Sequence, residues 1–253
     1  MNIALIGYGK MGKTIEEIAL SRGHKITEKI DLNLPGSFDS EGFKAADIVI
    51  EFTAPSVAYT NYIKCFERGK AVVSGTTGWL SKLPEIKEMC KDGAHTFFYS
   101  SNFSLGVNIF FELNRHLAKI MNQFDAYRPS MTETHHIHKL DAPSGTAITL
   151  AEGVVENLDR VKGWKLDRTI WTAGDKPTEI ANESIGSDEL PISAYREWEV
   201  PGIHTVRYDS EADYIEIKHS ANSRRGFALG VVLAAEYTNG KKGFYGMHDM
   251  LGF

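Results

Sequence analysis

Residues 133–147 read ETHHIHKLDAPSGTA and place three histidines, a lysine, an aspartate and a Pro-Ser-Gly-Thr run side by side. Three chemistries are open to such a stretch: a metal site, a proton-transfer site or a cradle for an anion. Spacing argues against metal. Read as a strand, TETHHIHK sends His136 and His138 to one face and His135 to the other, so at most two can share an ion. A helical reading lacks an H-x-x-x-H interval, and no cysteine lies near. No metal is therefore expected. Histidine is the side chain best able to donate a proton near neutral pH, and Lys139 can hold an anion or lend charge. Downstream, Pro143 cannot continue a strand, and Asp141 or Ser144 can cap a helix. Ser144, Gly145 and Thr146 then set N–H and hydroxyl donors at a helix N-terminus. Such donors suit a carboxylate. His135, His136 and Lys139 beside this cradle describe protonation of a small carboxylated substrate, with His138 the histidine least expected to matter.

A second stretch, GYGKMG at residues 7–12, matches G-x-G-x-x-G between an apolar run and a helical pattern. Gly7 allows the tight turn, Gly9 lets a pyrophosphate reach the backbone, and Gly12 allows close helix–strand packing. A nicotinamide dinucleotide is the expected cofactor. Asp31 follows the second strand at the interval where a carboxylate accepts the adenine ribose hydroxyls, which favours NADH. Leu32 stands where an arginine would hold a 2′-phosphate, although Lys10 offers a cation and leaves NADPH possible. The loops FTAP (52–55) and GTTG (75–78) leave the carboxyl ends of expected strands, where open α/β sheets bind ligands.

Positioning these stretches requires a particular set of elements. Apolar runs at 2–7, 25–30, 47–52, 71–75 and 95–100 alternate with helical patterns at 11–21, 56–68 and 82–91. This alternation predicts an α/β fold, a Rossmann-like doubly wound parallel sheet. Segment 31–46 contains LPGS and little periodicity, so a loop or one short turn is expected. A helix over 105–121 leads out of the first domain. After it come strands and a helix opening near Ser144, the pattern of a second α+β domain on a mixed open sheet. The tail RGFALGVVLAAEYTNG predicts a helix that ends at Gly240 and packs back on the first domain. The expected organisation is a dinucleotide-binding domain over 1–104, a substrate domain over 105–223 and a return to the first over 224–253. Hinges are expected near Ser104 and Arg224, where closure would exclude water.

Composition bounds the partners. The 253 residues carry 28 Lys+Arg against 33 Asp+Glu, a net charge of −5. No global basic field exists to hold nucleic acid or an anionic membrane surface. No run approaches the roughly 18 apolar residues of a membrane span. The N-terminus lacks the form of a signal peptide, and Cys65 and Cys90 make neither a disulfide framework nor a metal knuckle. A cytoplasmic protein is expected.

The stretch at 133–147 resembles the signature E-x-H-H-x-x-K-x-D-A-P-S-G-T-A of the 4-hydroxy-tetrahydrodipicolinate reductase family, formerly called dihydrodipicolinate reductase. GYGKMG, EFTAP, GTTG, SSNFSLGVN and IEIKHSANSRRGFALG occur in the family's order, so the resemblance covers nearly the whole chain. It implies NAD(P)H-dependent reduction of the dehydrated form of (2S,4S)-4-hydroxy-2,3,4,5-tetrahydrodipicolinate to (S)-2,3,4,5-tetrahydrodipicolinate, in the diaminopimelate route to lysine. By position, it implies that His135 is the general acid and that Lys139 binds a substrate carboxylate or shares the proton transfer. His136, Gly145 and Thr146, with Ser144 nearby, would complete the binding of two carboxylates. Gly7, Lys10, Met11, Asp31, Phe52, Gly75, Thr77, Ser100, Asn102 and Phe103 would line the dinucleotide. A homotetramer built through sheets of the second domain is also implied. Three features depart from the family pattern. The glycine loop is one residue shorter than G-x-x-G-x-x-G, Ile137 occupies an often basic position, and the chain is somewhat short, chiefly in the 31–46 crossover. None removes a proposed catalytic residue. The competing readings are another two-domain nicotinamide enzyme, such as an aspartate dehydrogenase or a sugar oxidoreductase, and a dinucleotide-sensing regulator that binds NADH without consuming it.

Overall fold

The computed structural model describes residues 1–172, 177–181, 184–223 and 225–253. In chain order the elements are β1 (Asn2–Ile6), α1 (Lys10–Ser21), β2 (Lys25–Ile30), α2 (Glu41–Lys44), β3 (Ile48–Glu51), α3 (Pro55–Glu67), β4 (Ala71–Ser74), α4 (Leu83–Met89), β5 (Thr96–Tyr99) and α5 (Leu105–Met121). Then follow β6 (Arg128–His135), α6 (Gly145–Val155), β7 (Gly163–Trp171), β8 (Thr178–Ala181), β9 (Glu189–Arg196), β10 (Ile203–Asp209), β11 (Tyr214–Ser220), α7 (Arg225–Thr238), β12 (Gly243–Tyr245) and α8 (Met247–Leu251). Two compact units result, Met1–Leu105 with Arg225–Phe253, and Gly106–Arg224. The hinge expected near Arg224 falls on a residue outside the described ones.

The first unit is a sheet of order β12-β5-β4-β3-β1-β2, parallel throughout. Its central strands are apolar without alternation because both faces are covered. Ile3 and Leu5 face a core shared with Ile15, Ile18, Val231 and Ala235 of α1 and α7. Ala4 and Ile6 face the opposite core, with Tyr62, Phe66 and Phe97. Strand order reverses between β1 and β3, and the loops after these two strands are GYGKMG and FTAP. A ligand crevice forms at such a reversal because the connections leave to opposite faces. Segment 31–46 holds the single turn α2, capped by the Ser40 hydroxyl, which accepts the Phe43 N–H. The sequence reading omitted β12 and α8. The three residues of β12 are too few to show a period, and they are strand only because β5 offers a parallel edge.

The second unit is a mixed sheet of order β11-β10-β6-β9-β7-β8, in which β6–β9 and β9–β7 pair in parallel and the other pairs are antiparallel. Its inner face packs Met131, Leu190, Ile192 and Val206 against Phe110, Met121, Leu150 and Val154. Burial alternates along β6, so Met131, Glu133 and His135 share that inner face. Toward its carboxyl end the strand changes from apolar to ionisable while keeping the same orientation. The strand also stops at His135. Residues 136–139 form a turn in which the Lys139 N–H donates to the His136 carbonyl at 3.1 Å. The strand geometry expected for TETHHIHK therefore ends four residues early. Strand β8 is an edge strand paired antiparallel with β7. Among the described residues, no helix is long and apolar enough to cross a membrane.

Candidate active site

In the first unit the glycine loop is built by steric exclusion. Gly7 has φ +89°, and a Cβ there would overlap the Phe52 carbonyl. A Cβ on Gly12 would overlap the Gly7 carbonyl, so this glycine lets α1 close down on the loop itself. Gly9 precedes α1, and a Cβ there would meet no atom within 4 Å, so the backbone is open to solvent at this point. A cleft of about 280 Å³ is bounded by Gly9, Lys10, Met11 and Gly12 on one side and by Phe52, Gly75 and Thr77 on the other. Seven expected cofactor residues thus converge. The open N-terminus of α1 fits a pyrophosphate, since its first N–H groups have no intrahelical acceptors.

Asp31 accepts the Tyr8 N–H on Oδ2 at 2.6 Å, which ties the end of β2 to the glycine loop. Ser100 and Asn102 form a tight turn, with the Asn102 N–H on Ser100 Oγ at 3.1 Å and Ser100 Oγ on the Asn102 carbonyl at 2.7 Å. Phe103 is buried, its ring 5.9 Å from Phe52 and 5.8 Å from Phe98. It packs beneath the cleft, and Gly75 is needed because a Cβ would strike the Phe52 ring and approach that of Phe103.

Sequence reasoning missed the group that joins the FTAP and GTTG loops. Glu51 is fully buried at the end of β3. Its Oε2 accepts Ser74 Oγ–H at 2.7 Å and Thr76 Oγ1–H at 2.9 Å, and Thr53 Oγ1–H donates to Oε1. The Thr53 N–H in turn donates to Thr76 Oγ1 at 2.9 Å. Tyr62 continues the chain to Ser74, and burial with Glu51 nearby pushes its phenol well up. A glutamate within an apolar strand run was the available signal, because a buried carboxylate requires donors.

In the second unit, strand register assembles the ionisable cluster. Glu133 on β6 pairs with His204 on β10, and His135 pairs with Arg196 on β9. Arg196 is 1% exposed, and its guanidinium donates to Glu133 Oε1 at 3.2 Å, the Asp141 carbonyl at 2.7 Å and the Lys139 carbonyl at 3.2 Å. It therefore braces the turn that carries Lys139. Glu133 Oε2 accepts the Ser144 N–H at 2.9 Å. Ser144 caps α6, its Oγ accepting the Ala147 N–H at 3.2 Å and lying 3.0 Å from His204 Nε2. Of the two capping candidates, Ser144 takes the role, and Asp141 instead meets Lys139. Gly145 and Thr146 form the first turn, ahead of the first intrahelical bond from Ile148 to Ser144. Of the cradle residues, Gly145 and Thr146 are at least partly exposed, whereas Ser144 is buried.

The histidines differ in environment. His135 is 8% exposed, and burial holds its imidazole down at about 4, with Lys139, Arg196 and His136 adding to the effect and Glu133 opposing it. Burial pushes His204 to about 3, with His135, His219 and Lys139 contributing. Both rings are neutral near pH 7. His136 is half-buried, whereas His138 is exposed and meets Glu199 at 2.9 Å. Glu133, His135 and His204 bring one potential donor atom each within 4.8 Å of one another. Spacing along 133–147 could not show this group, because His204 comes from another strand. The Arg196 guanidinium already stands against Glu133 at 3.2 Å, and its charge opposes a second cation at this donor set.

Known proteins share both units. Residues 1–103 match the family model described as dihydrodipicolinate reductase, N-terminus, and residues 106–251 match its C-terminal counterpart. A protein of Christiangramia forsetii named 4-hydroxy-tetrahydrodipicolinate reductase is 49% identical over 251 residues, covering 99% of this chain and 98% of that one. One of the same name from Archaeoglobus fulgidus is 33% identical, covering 99% and 100%. The fold is similar to that of dipicolinate-bound dihydrodipicolinate reductase from Paenisporosarcina sp. TG-14, with a TM-score of 0.74, 19% identity and 98% of each chain covered.

Proposed function

The chain belongs to the dihydrodipicolinate reductase family, and from that membership we propose that its two sites act together in NAD(P)H-dependent reduction of dehydrated (2S,4S)-4-hydroxy-2,3,4,5-tetrahydrodipicolinate to (S)-2,3,4,5-tetrahydrodipicolinate in lysine biosynthesis. The observation that carries the reading is the union of a neutral, buried histidine, a lysine and an open helix N-terminus beside one another on the second unit. The dinucleotide supplies the hydride when bound. Lys139 and the first turn of α6 bind the two substrate carboxylates, with His136 beside them. His135 supplies the proton to the carbon next to the one that accepts hydride.

The neutral state of His135 in the free protein constrains the mechanism. A buried imidazole gains a proton only when negative charge is brought to it. The dianionic substrate does this, and its carboxylates also offset Lys139, whose charge opposes protonation. His135 is thus charged as substrate binds, and the proton is released in the chemical step.

NADH is the preferred cofactor in this reading. Asp31 is held at the ribose end of the glycine loop, and fully exposed Leu32 follows it. Lys29, the nearby cation on β2, is paired with Glu16 at 2.6 Å, so a 2′-phosphate would have to compete with that carboxylate for it. A homotetramer assembled through the second unit and a cytoplasmic location complete the proposal. The reduced, buried Cys65 and Cys90 accord with that compartment. The deciding assay supplies aspartate semialdehyde, pyruvate and the upstream synthase, and follows absorbance of NADH and of NADPH. Substrate-dependent loss of NADH at the higher kcat/KM is expected; no loss of either cofactor would overturn the reading. A regulator would bind NADH and leave it unconsumed.

A further inference from the structure

Glu133 has no assigned part in the reaction, yet it is fully buried and lies directly behind the proton donor. Two residues apart on one strand, Glu133 and His135 face the same side by the period of the pleat. His135 Nδ1 lies 3.7 Å from Glu133 Oε2, just beyond hydrogen-bond reach. That nitrogen is buried and has no hydrogen-bond partner among the described residues. A buried ring nitrogen without a partner is costly, and here the nearest acceptor is an anion. The opposite ring nitrogen, Nε2, faces Gly202, where a Cβ would come within 3.2 Å. The ring is therefore boxed, with a carboxylate behind Nδ1 and a residue lacking a side chain beside Nε2.

We propose that Glu133 is the positioning residue of the proton donor: its Oε2 accepts the Nδ1–H of His135 when the dicarboxylate is bound, leaving Nε2–H as the proton that is given up. This rests on the functional reading above. The carboxylate is fixed for the task, because Arg196 binds Oε1 and the Ser144 N–H binds Oε2. An ionised carboxylate has about four lone-pair sites, so capacity remains for His135. His204 approaches the same Oε2 at 3.8 Å, but its Nε2 is also 3.0 Å from Ser144 Oγ. The groups facing His135 are then Glu133, which favours its charge, Lys139, Arg196 and His136, which oppose it, and the neutral His204, whose ring lies 5.0 Å away. Substrate carboxylates at Lys139 remove part of that opposition, and the balance moves toward imidazolium. In the chemical step the Nε2–H bond breaks and a C–H bond forms on the carbon adjacent to the hydride acceptor. The imidazole returns to neutral and takes its next proton from solvent.

The same network also predicts two shifts of opposite sign. A general acid must be protonated, so kcat falls as pH rises through its pKa in the substrate complex. In Glu133→Gln this alkaline limb should move down by about one pH unit or more, the scale expected for losing a neighbouring opposite charge. At neutral pH kcat then falls by up to about tenfold, while the dissociation constant for NADH is unchanged. Arg196→Gln removes an opposing cation, so its limb should move up. Glu133→Asp keeps the charge and should leave the limb near its wild-type position, and the upward shift in Arg196→Gln remains the test where Glu133→Gln does not fold. The measurement is kcat against pH for wild type and variants, with substrate generated in place. If Arg196→Gln and the foldable Glu133 variants lower kcat without moving the limb as stated, Glu133 only braces the turn and the proposal fails. Failure of the functional reading is separate, since wild type itself would then not consume NADH.

Discussion

Lys139 and Asp141 face each other across a single residue, with Lys139 Nζ 2.8 Å from both carboxylate oxygens. The cation proposed to hold a substrate carboxylate is thus already occupied by a carboxylate of the chain, and Lys139 holds the Asp141 carboxyl below its usual range. Asp141 is 63% exposed, so the pair is worth about 0–1 kcal/mol and a dicarboxylate can displace it. Asp141→Asn should therefore lower KM for the dicarboxylate, up to about fivefold, with kcat retained. Initial rates decide this. A raised KM would place Asp141 among the substrate ligands.

Gly7 and Gly9 should respond differently to alanine. In Gly7→Ala the new methyl collides with the Phe52 carbonyl in a left-handed conformation, so the protein should lose several kcal/mol, roughly 2–5, in chemical denaturation. Gly9→Ala meets nothing within 4 Å and should melt like wild type. Its NADH affinity should nevertheless fall at least about tenfold, because the methyl occupies the space through which a pyrophosphate reaches the backbone. Fluorescence titration with NADH checks this. Unchanged affinity in Gly9→Ala would remove the glycine loop from the cofactor site.

Glu51→Ala should leave three hydroxyl donors without their shared acceptor and free the two cleft loops from each other. Hydrogen bonds to a charged group contribute about 1.5–3 kcal/mol each. The expected result is a lower melting temperature and an increase of about tenfold or more in KM for NADH. KM for the dicarboxylate should be much less affected. Equal effects on both constants would show a general loss of structure instead.

Acid should destabilise the second unit through its buried histidines. His135 and His204 have folded values of about 4 and about 3, below the ordinary 6.5. The unfolded chain therefore binds protons that the folded chain refuses, and the stability contribution present above pH 6.5 is lost as pH falls toward those values. One such histidine costs about 2 kcal/mol between pH 7 and 5. His204→Gln should reduce the pH 7 to 5 stability loss by about that amount in urea titrations. An identical pH dependence in variant and wild type would contradict the neutral, buried state of His204.

Features within a few residues of one another were legible from sequence. The glycine loop, the Ser144 cap and the alternation of helix with apolar strand depend on backbone angles, three-residue capping contacts and side-chain period, all local properties. For the same reason His135, Lys139 and the 144–146 cradle could be singled out by type and order. The limits lay at ends and edges. TETHHIHK alternates through His138, but β9 offers pairing only as far as His135, so the last two histidines left the sheet.

What the sequence determined by itself was the family, the two-part architecture and the identity of the residues with chemistry to offer. Tertiary structure alone decided their electrical setting. Glu133 meets His204, and His135 meets Arg196, through a register between strands separated by about 60 to 70 residues, and a slip of one residue would turn each to the other face. The same holds for Glu51, two of whose three donors come from β4 and the loop beyond it. Whether a histidine is charged depends on its burial and on the carboxylate and guanidinium beside it, and these are brought together only by the packed sheet.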